Sequence, residues 1–354
     1  MRFRFALAGA ALCAALVGPG AIRPALSDQI QFSPVPQHRA LGVTLGAGAS
    51  ASGAKVEAMG RTDFSPETVT TRTTRTATAP LPTLRSWMHG DVAGAWASGF
   101  RGQGVTITVV DDFSSASRSI GDLGTGRQSL RHGEWTRLEA SMIAPSSTMA
   151  THDFNSARTV ALTANRLNVV NLSYGMMARA GFSHTQIRWS AQETSLINYA
   201  RAGSAVIAKA AGNDAVAVGA ANRSGNVDYL NLALVGTAST IFVGALDRNG
   251  AVNNRANLAS YSNFAGSNAA VQRQFLSVGV RGDLTGLYGT SFAAPIVSGY
   301  AAVLGSKFTT ATPVQITNRL LDTARSDTIN NYSAAIHGRG EASLSRAIAP
   351  SSIR

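Results

Sequence analysis

The sequence predicts an α/β fold with a doubly wound, mostly parallel central sheet and helices on both faces. Two patterns predict it. From about residue 86 onward, short apolar and β-branched runs alternate with stretches whose apolar residues have helical spacing, the order that builds βαβ units. Several of the runs are apolar at nearly every position, as strands covered on both faces are. At 354 residues and 45% hydrophobic content, the chain can also bury a sizeable core.

The chain opens with MRFRFALAGAALCAALVGPGAIRPALS, in which Arg2 and Arg4 precede an apolar run from Ala6 to Val17 and then small residues near Ala25 and Ser27. That is the three-part pattern of a secretory signal peptide over 1–27, so the protein is expected to be exported, either secreted or periplasmic. The run is too short for a comfortable span and no later segment is longer, so no stable membrane insertion is expected. Leu12 stands where a lipoprotein cleavage site needs a small residue, which argues against lipidation at Cys13. Cys13 is the only cysteine. Once it leaves with the signal peptide, an exported chain has no disulfide to use.

Residues 28–83 include GAGASASGAK and TVTTRTTRTATAPLPT, rich in Gly, Ser, Thr and Pro and poor in apolar periodicity. They are read as a low-complexity leader or short pro-segment without strands of its own. The main domain is assigned to 84–350. Its strands are predicted at Val105–Val110, Val169–Leu172, Ala205–Ala210, Ile241–Gly244 and Phe275–Val278. Its helices are predicted at Gly133–Ile143, Ser156–Leu167 and Thr194–Ala202. The net charge of +12 comes mostly from arginine, but the basic residues are scattered and form no stripe interleaved with aromatics, which excludes a nucleic-acid-binding reading.

In a sheet of this kind, functional groups collect beyond the carboxyl ends of the strands. Four segments place reactive residues there or at helix starts. VVDDF ends a strand in Asp111 and Asp112. RHGEW carries His132 ahead of a helix. VIAKAAGND ends a strand at Asn213. YGTSFAAPIVSGY brings Ser291 to the start of an apolar helix, with Pro295 tolerated near that start. Each segment alone has a plainer reading as a cap or turn. Together they supply a hydroxyl nucleophile, an imidazole to take its proton, a carboxylate to orient the imidazole, and an amide to donate to an oxyanion. Strand periodicity puts Asp111 and Asp112 on opposite faces and does not choose between them.

GTSFAAP resembles the Gly-Thr-Ser-x-Ala-x-Pro signature of the subtilisin-like serine peptidases, the subtilases, and the order Asp, His, Asn, Ser is theirs. NVVNLSYG looks like the strand lining their substrate cleft, AAGN like their oxyanion motif, and HGRGEASLSRAIAP like their closing segment. The resemblance implies a secreted serine endopeptidase with Ser291 as nucleophile, His132 as base, Asp111 as its carboxylate and Asn213 as oxyanion donor. Ser173, Tyr174 and Gly175 on one side, and Ala211 and Gly212 on the other, would line the cleft. Protein or peptide substrates are implied, with no cofactor for the chemistry. The resemblance also allows structural calcium, though neither HExxH nor an EF-hand loop occurs and His152–Asp153 is read as a turn pair.

Two departures stand against the family pattern. Asp112 and Phe113 replace a small hydroxyl residue and a glycine, and Glu134 and Trp135 follow His132-Gly133. They motivate an alternative, a catalytically impaired subtilase-fold protein that binds peptides. A third reading, an α/β-hydrolase esterase, lacks both the Gly-x-Ser-x-Gly elbow and the order Ser, acid, His. The sequence leaves cleavage preference and oligomeric state open.

Overall fold

The structure is a computed structural model that describes residues 38–40 and 81–353. The segment 1–27 read as a signal peptide, Cys13, and all of the leader except 38–40 and 81–83 lie outside the described residues.

Eleven strands occur among the described residues, in chain order β1 His38–Ala40, β2 Val105–Asp111, β3 Ser119–Gly121, β4 Gln128–Leu130, β5 Thr148–Asp153, β6 Leu167–Leu172, β7 Gly175–Arg179, β8 Val206–Ala210, β9 Asn226–Asp228, β10 Thr240–Leu246 and β11 Phe275–Gly279. Six of them form one sheet in the order β11-β10-β8-β6-β2-β5, and every pairing within it is parallel. The helices used below are α1 Asp91–Ala97, α2 His132–Ile143, α3 Ala191–Ala202, α4 Tyr229–Leu234, α5 Ala294–Lys307, α6 Pro313–Asp322 and α7 Leu344–Ile348.

The two faces of the sheet carry separate cores. Val105, Ile107 and Val109 of β2 pack with α1, α2, α5 and α7, whereas Val110 joins Val170 and Leu172 on the face under α3 and α4. Every residue of β2 and of β10 is buried, which is why these strands read as near-continuous runs of apolar and β-branched residues. Helix α5 is buried from Ala294 to Ser306, so its lack of a polar face follows from its place at the centre. Fully buried side chains such as Trp96 and Trp135 each contribute roughly 1.5–3 kcal/mol or more of transfer free energy.

All five predicted strands form. The helix predicted over Ser156–Leu167 does not, and the segment runs as an irregular loop into β6. Its polar backbone is satisfied from outside. Ser195 Oγ accepts from Val160 N at 3.1 Å, Tyr199 Oη donates to Val160 O at 2.8 Å, and Asn168 holds both Thr163 N and Thr163 O. Asn165 takes a left-handed φ of 57°, which no helix continues through. His152 and Asp153 are likewise no turn pair, because they end the edge strand β5 and Asp153 pairs in register with Asp111. In the leader, β1 adds in parallel to β7, pairing His38 with Gly175 and Ala40 with Met177. Main-chain pairing to an open edge needs no apolar alternation, so periodicity could not reveal it.

Glu139 forms no ion pair among the described residues. Glu139, on α2, is 4% exposed, its Oε2 has no hydrogen-bond partner, and burial pushes its carboxyl well above the ordinary value. Above about pH 4.5 the unfolded chain loses this proton while the folded chain keeps it, so the group's contribution falls as pH rises through its folded value. Glu139→Gln is therefore expected to leave the thermal unfolding midpoint nearly unchanged at pH 4 and to raise it at pH 8. A pH series of melting curves checks this.

Candidate active site

Asp111, His132, Asn213 and Ser291 come from four distant segments and meet beyond the carboxyl ends of the parallel strands. Asp111 is the last residue of β2, and β8 ends just before the loop with Asn213. His132 is the first residue of α2, and Ser291 lies in the 3-10 turn Thr290–Phe292 ahead of α5.

His132 Nδ1 and Asp111 Oδ1 are 2.6 Å apart, with both side chains almost fully buried. Asp111 is held from two further directions. Its Oδ1 accepts from Asp112 N at 2.7 Å and its Oδ2 from Thr136 Oγ1 at 2.9 Å. A carboxylate with three partners is held in one orientation and in turn fixes the ring it faces. Thr136 stands one helical turn after His132, on the same face of α2. The i, i+4 spacing in HGEWT carried that signal, and sequence reading missed it. His132 Nε2 is buried and has no partner, and the Phe292 ring packs over the imidazole with centroids 5.4 Å apart. A buried ring nitrogen with no partner is an unmet hydrogen-bonding group, which protein interiors rarely keep.

The two departures in sequence have local causes. Asp112 is buried and turns away from His132. Its Oδ1 accepts from Ser114 N and Ser115 N at 3.2 and 2.9 Å, and its Oδ2 accepts from Ser115 Oγ, so it closes the turn after β2. Phe113 fits because Gly133 has no side chain. A Cβ there would lie 2.7 Å from Asp112 O and 2.9 Å from the Phe113 ring. Glu134 accepts from Arg131 N at 2.7 Å and so caps α2, while Trp135 Nε1 donates to Ser119 O at 3.1 Å and ties the helix to β3.

Ser291 Oγ donates to Ser173 O at 3.3 Å, and Ser173 Oγ donates back to Ser291 O at 2.9 Å. Asn171 Nδ2 donates to Ser173 Oγ, which locks the end of β6 to the serine turn. Asn213 Oδ1 accepts from both Thr290 N and Thr290 Oγ1, at 2.8 and 2.9 Å, which sets the orientation of its amide. Gly212 adopts φ +115°, and a Cβ there would come within 2.3 Å of Asn263 Nδ2. Asn263 is a second residue that sequence reading missed. Its amide bonds Ala211 O, Asp214 N and Val216 N and so shapes the loop around Asn213.

Ser173, Tyr174 and Gly175 face Ala211 and Gly212 across one small pocket that ends at Ser291. The Tyr174 phenol is buried behind, against Phe154, within reach of Gln192 Nε2 at 3.2 Å. Among the described residues no group of three His, Cys, Asp or Glu is arranged to hold a metal ion, and no helix is long and apolar enough to cross a membrane.

The family model described as the subtilase family matches residues 137–340, more than half of the chain. The chain belongs to the subtilase family. This is a family of serine-type peptidases acting on protein and peptide substrates. The matched region holds Asn213 and Ser291 and begins beyond Asp111 and His132. No curated protein sequence matches it significantly. Among solved structures, it is similar to the prenylagaramide maturation protease PagA at 18% identity and a TM-score of 0.49, covering 74% of this chain and 98% of that one. It is also similar to a protease of Pseudoalteromonas arctica PAMC 21717 (18%, TM-score 0.47, 73% and 93%) and to MycP1 of Mycobacterium smegmatis (19%, TM-score 0.46, 77% and 86%).

Proposed function

We propose that this subtilase is an exported endopeptidase that cleaves peptide bonds through an acyl-enzyme. Ser291 would attack, His132 would take and return the proton, Asp111 would orient and stabilise the imidazolium, and Asn213 would donate to the oxyanion. The observation that carries this reading is the buried 2.6 Å contact of Asp111 with His132 Nδ1, which leaves Nε2 aimed into the site with no partner. For attack, Ser291 Oγ would give up its long bond to Ser173 O and take His132 Nε2 as its partner instead. With Asn213 Oδ1 engaged by Thr290, its Nδ2 is the group that would donate to the oxyanion. The reaction so written uses no metal or cofactor. A fluorophosphonate probe tests the reading. It should label wild type and not Ser291→Ala, and equal labelling of both would overturn it.

Asn213→Ala is expected to lower kcat about 10²–10³-fold with little change in KM, since the lost donor acts on the oxyanion rather than on bound substrate. Steady-state kinetics on one peptide substrate check the split.

Residues 1–27 would be removed on export. The leader would then run beside the cleft, where β1 pairs with β7 from Gly175 onward, an edge that a substrate strand would also use. Intact-mass spectra of the exported protein are expected to show the leader missing from wild type and retained in Ser291→Ala, as self-removal requires.

The position of Ser291 Oγ, bonded to Ser173 O, favours one second reading, a subtilase-fold protein that binds peptides without cleaving them. Peptide binding with no product over days would support it.

A further inference from the structure

The pocket that ends at Ser291 has a floor unlike its walls. Lys209 lies near the end of β8, inside an otherwise apolar strand, and is 1% exposed. Its Nζ donates to Asp228 Oδ2 at 3.0 Å and to Ala210 O at 2.7 Å. Asp228 is nearly saturated in its turn. Its Oδ1 accepts from Met176 N at 2.9 Å and caps α4 through Leu230 N and Asn231 N. Lys209 and Asp228 both line the pocket, as does Ser291 at the other end.

Placing an ammonium in the interior is costly unless all its protons are bonded. An ammonium has three, and the described residues supply Lys209 with two acceptors. The third proton belongs to whatever enters the pocket. The cavity is only about 20 Å³, room for roughly one water. When Ser291 attacks a carbonyl, the side chain of the residue that owns that carbonyl, the P1 residue, must lie against Ser291 and between the segments around Tyr174 and Ala211.

We propose that Lys209 and Asp228 determine specificity in this pocket, which takes a small, uncharged, polar P1 side chain such as Ser, Thr or Asn. The inference rests on the peptidase reading above. An aliphatic or aromatic P1 side chain would leave an ammonium proton unpaired, a mismatch that binding sites reject firmly. A carboxylate would meet Asp228, and also Asp214 on the pocket wall. A guanidinium would meet Lys209 and exceeds the space. A small side-chain oxygen would accept the third hydrogen bond.

The test uses the full chain and peptides that differ only at P1: Ser, Asn, Ala, Leu, Phe, Asp and Arg. For wild type, kcat/KM with Ser or Asn is expected to exceed that with Leu or Phe by roughly tenfold or more. The same order is expected for binding of the peptides to Ser291→Ala. Lys209→Met should erase the preference, and Lys209→Met/Asp228→Asn, which removes both charges together, should shift it toward Leu. Melting curves identify which variants fold. A ranking led by Leu, Phe or Arg would overturn the assignment, and so would an unchanged ranking in the folded double variant. Peptides that bind Ser291→Ala in the expected order but are never cleaved by wild type would leave the pocket standing and remove the peptidase reading. Labelled, active enzyme with the wrong ranking would do the reverse.

Discussion

Ser291→Ala is expected to lower kcat by about 10⁶-fold, the scale on which loss of a triad serine acts in subtilisin, while leaving the fold intact. The structural cost is small because the hydroxyl makes a single long hydrogen bond, 3.3 Å to Ser173 O, that the protein can lose cheaply. The turn around it does not depend on the side chain. Phe292 N and Ala293 N bond to Gly289 O and Thr290 O, and Ser173 Oγ bonds to the backbone carbonyl of residue 291, all of which alanine keeps. Melting temperature should therefore change by no more than a few degrees while turnover collapses. Peptide affinity should hold, because Lys209, Asp228 and the cleft strands are untouched. Burst kinetics, melting curves and a binding isotherm on the same preparation separate these effects. A variant that keeps a tenth of wild-type kcat would remove Ser291 from the chemistry.

How much of this was legible in the sequence followed burial. Strands covered on both faces wrote themselves as apolar runs, and β2, β6, β8, β10 and β11 were all found that way. The edge strand β5 reads TMATHD and is half exposed, so it carried neither an apolar run nor clean alternation. The stretch 156–167 had helical spacing of apolar residues, but its polar groups are claimed by Ser195, Tyr199 and Asn168 from other elements, and such tertiary capture overrides local pattern. The site followed the same rule. Asp111, His132, Asn213 and Ser291 could be singled out because chemistry restricts the residue types at each place. Thr136, Asn263 and the Lys209–Asp228 pair act through partners that only folding brings near, such as Asn263 on the backbone of 211–216. Lys209 alone left a trace, a lysine inside a strand with no other polar side chain.

Which carboxylate serves His132 was the question that strand periodicity left open, and Asp111→Asn is expected to lower kcat by up to about 10⁴-fold. In the folded chain Asp111 Oδ1 takes both His132 Nδ1 and Asp112 N, and Oδ2 takes Thr136 Oγ1. An asparagine can satisfy this set in one way, with its carbonyl toward His132 and Asp112 and its amide toward Thr136, whose hydroxyl can turn to donate to Gly133 O at 3.3 Å. The imidazole would then keep its tautomer and lose the negative charge that stabilises it once protonated. If the amide instead faced His132, Nδ1 would have to accept, Nε2 would carry the proton, and the base could not act at all. A double variant, Asp111→Asn/Thr136→Val, removes the hydroxyl that favours the first arrangement and should fall below Asp111→Asn alone. Asp112→Ser should act on a different quantity. It gives up part of the turn that Asp112 closes through Ser114 N and Ser115 N, about 0.5–1.5 kcal/mol for each lost bond, and kcat should change less than tenfold. Kinetics and melting curves on both single variants decide between them, because turnover surviving in Asp111→Asn and lost in a folded Asp112→Ser would transfer the role to Asp112.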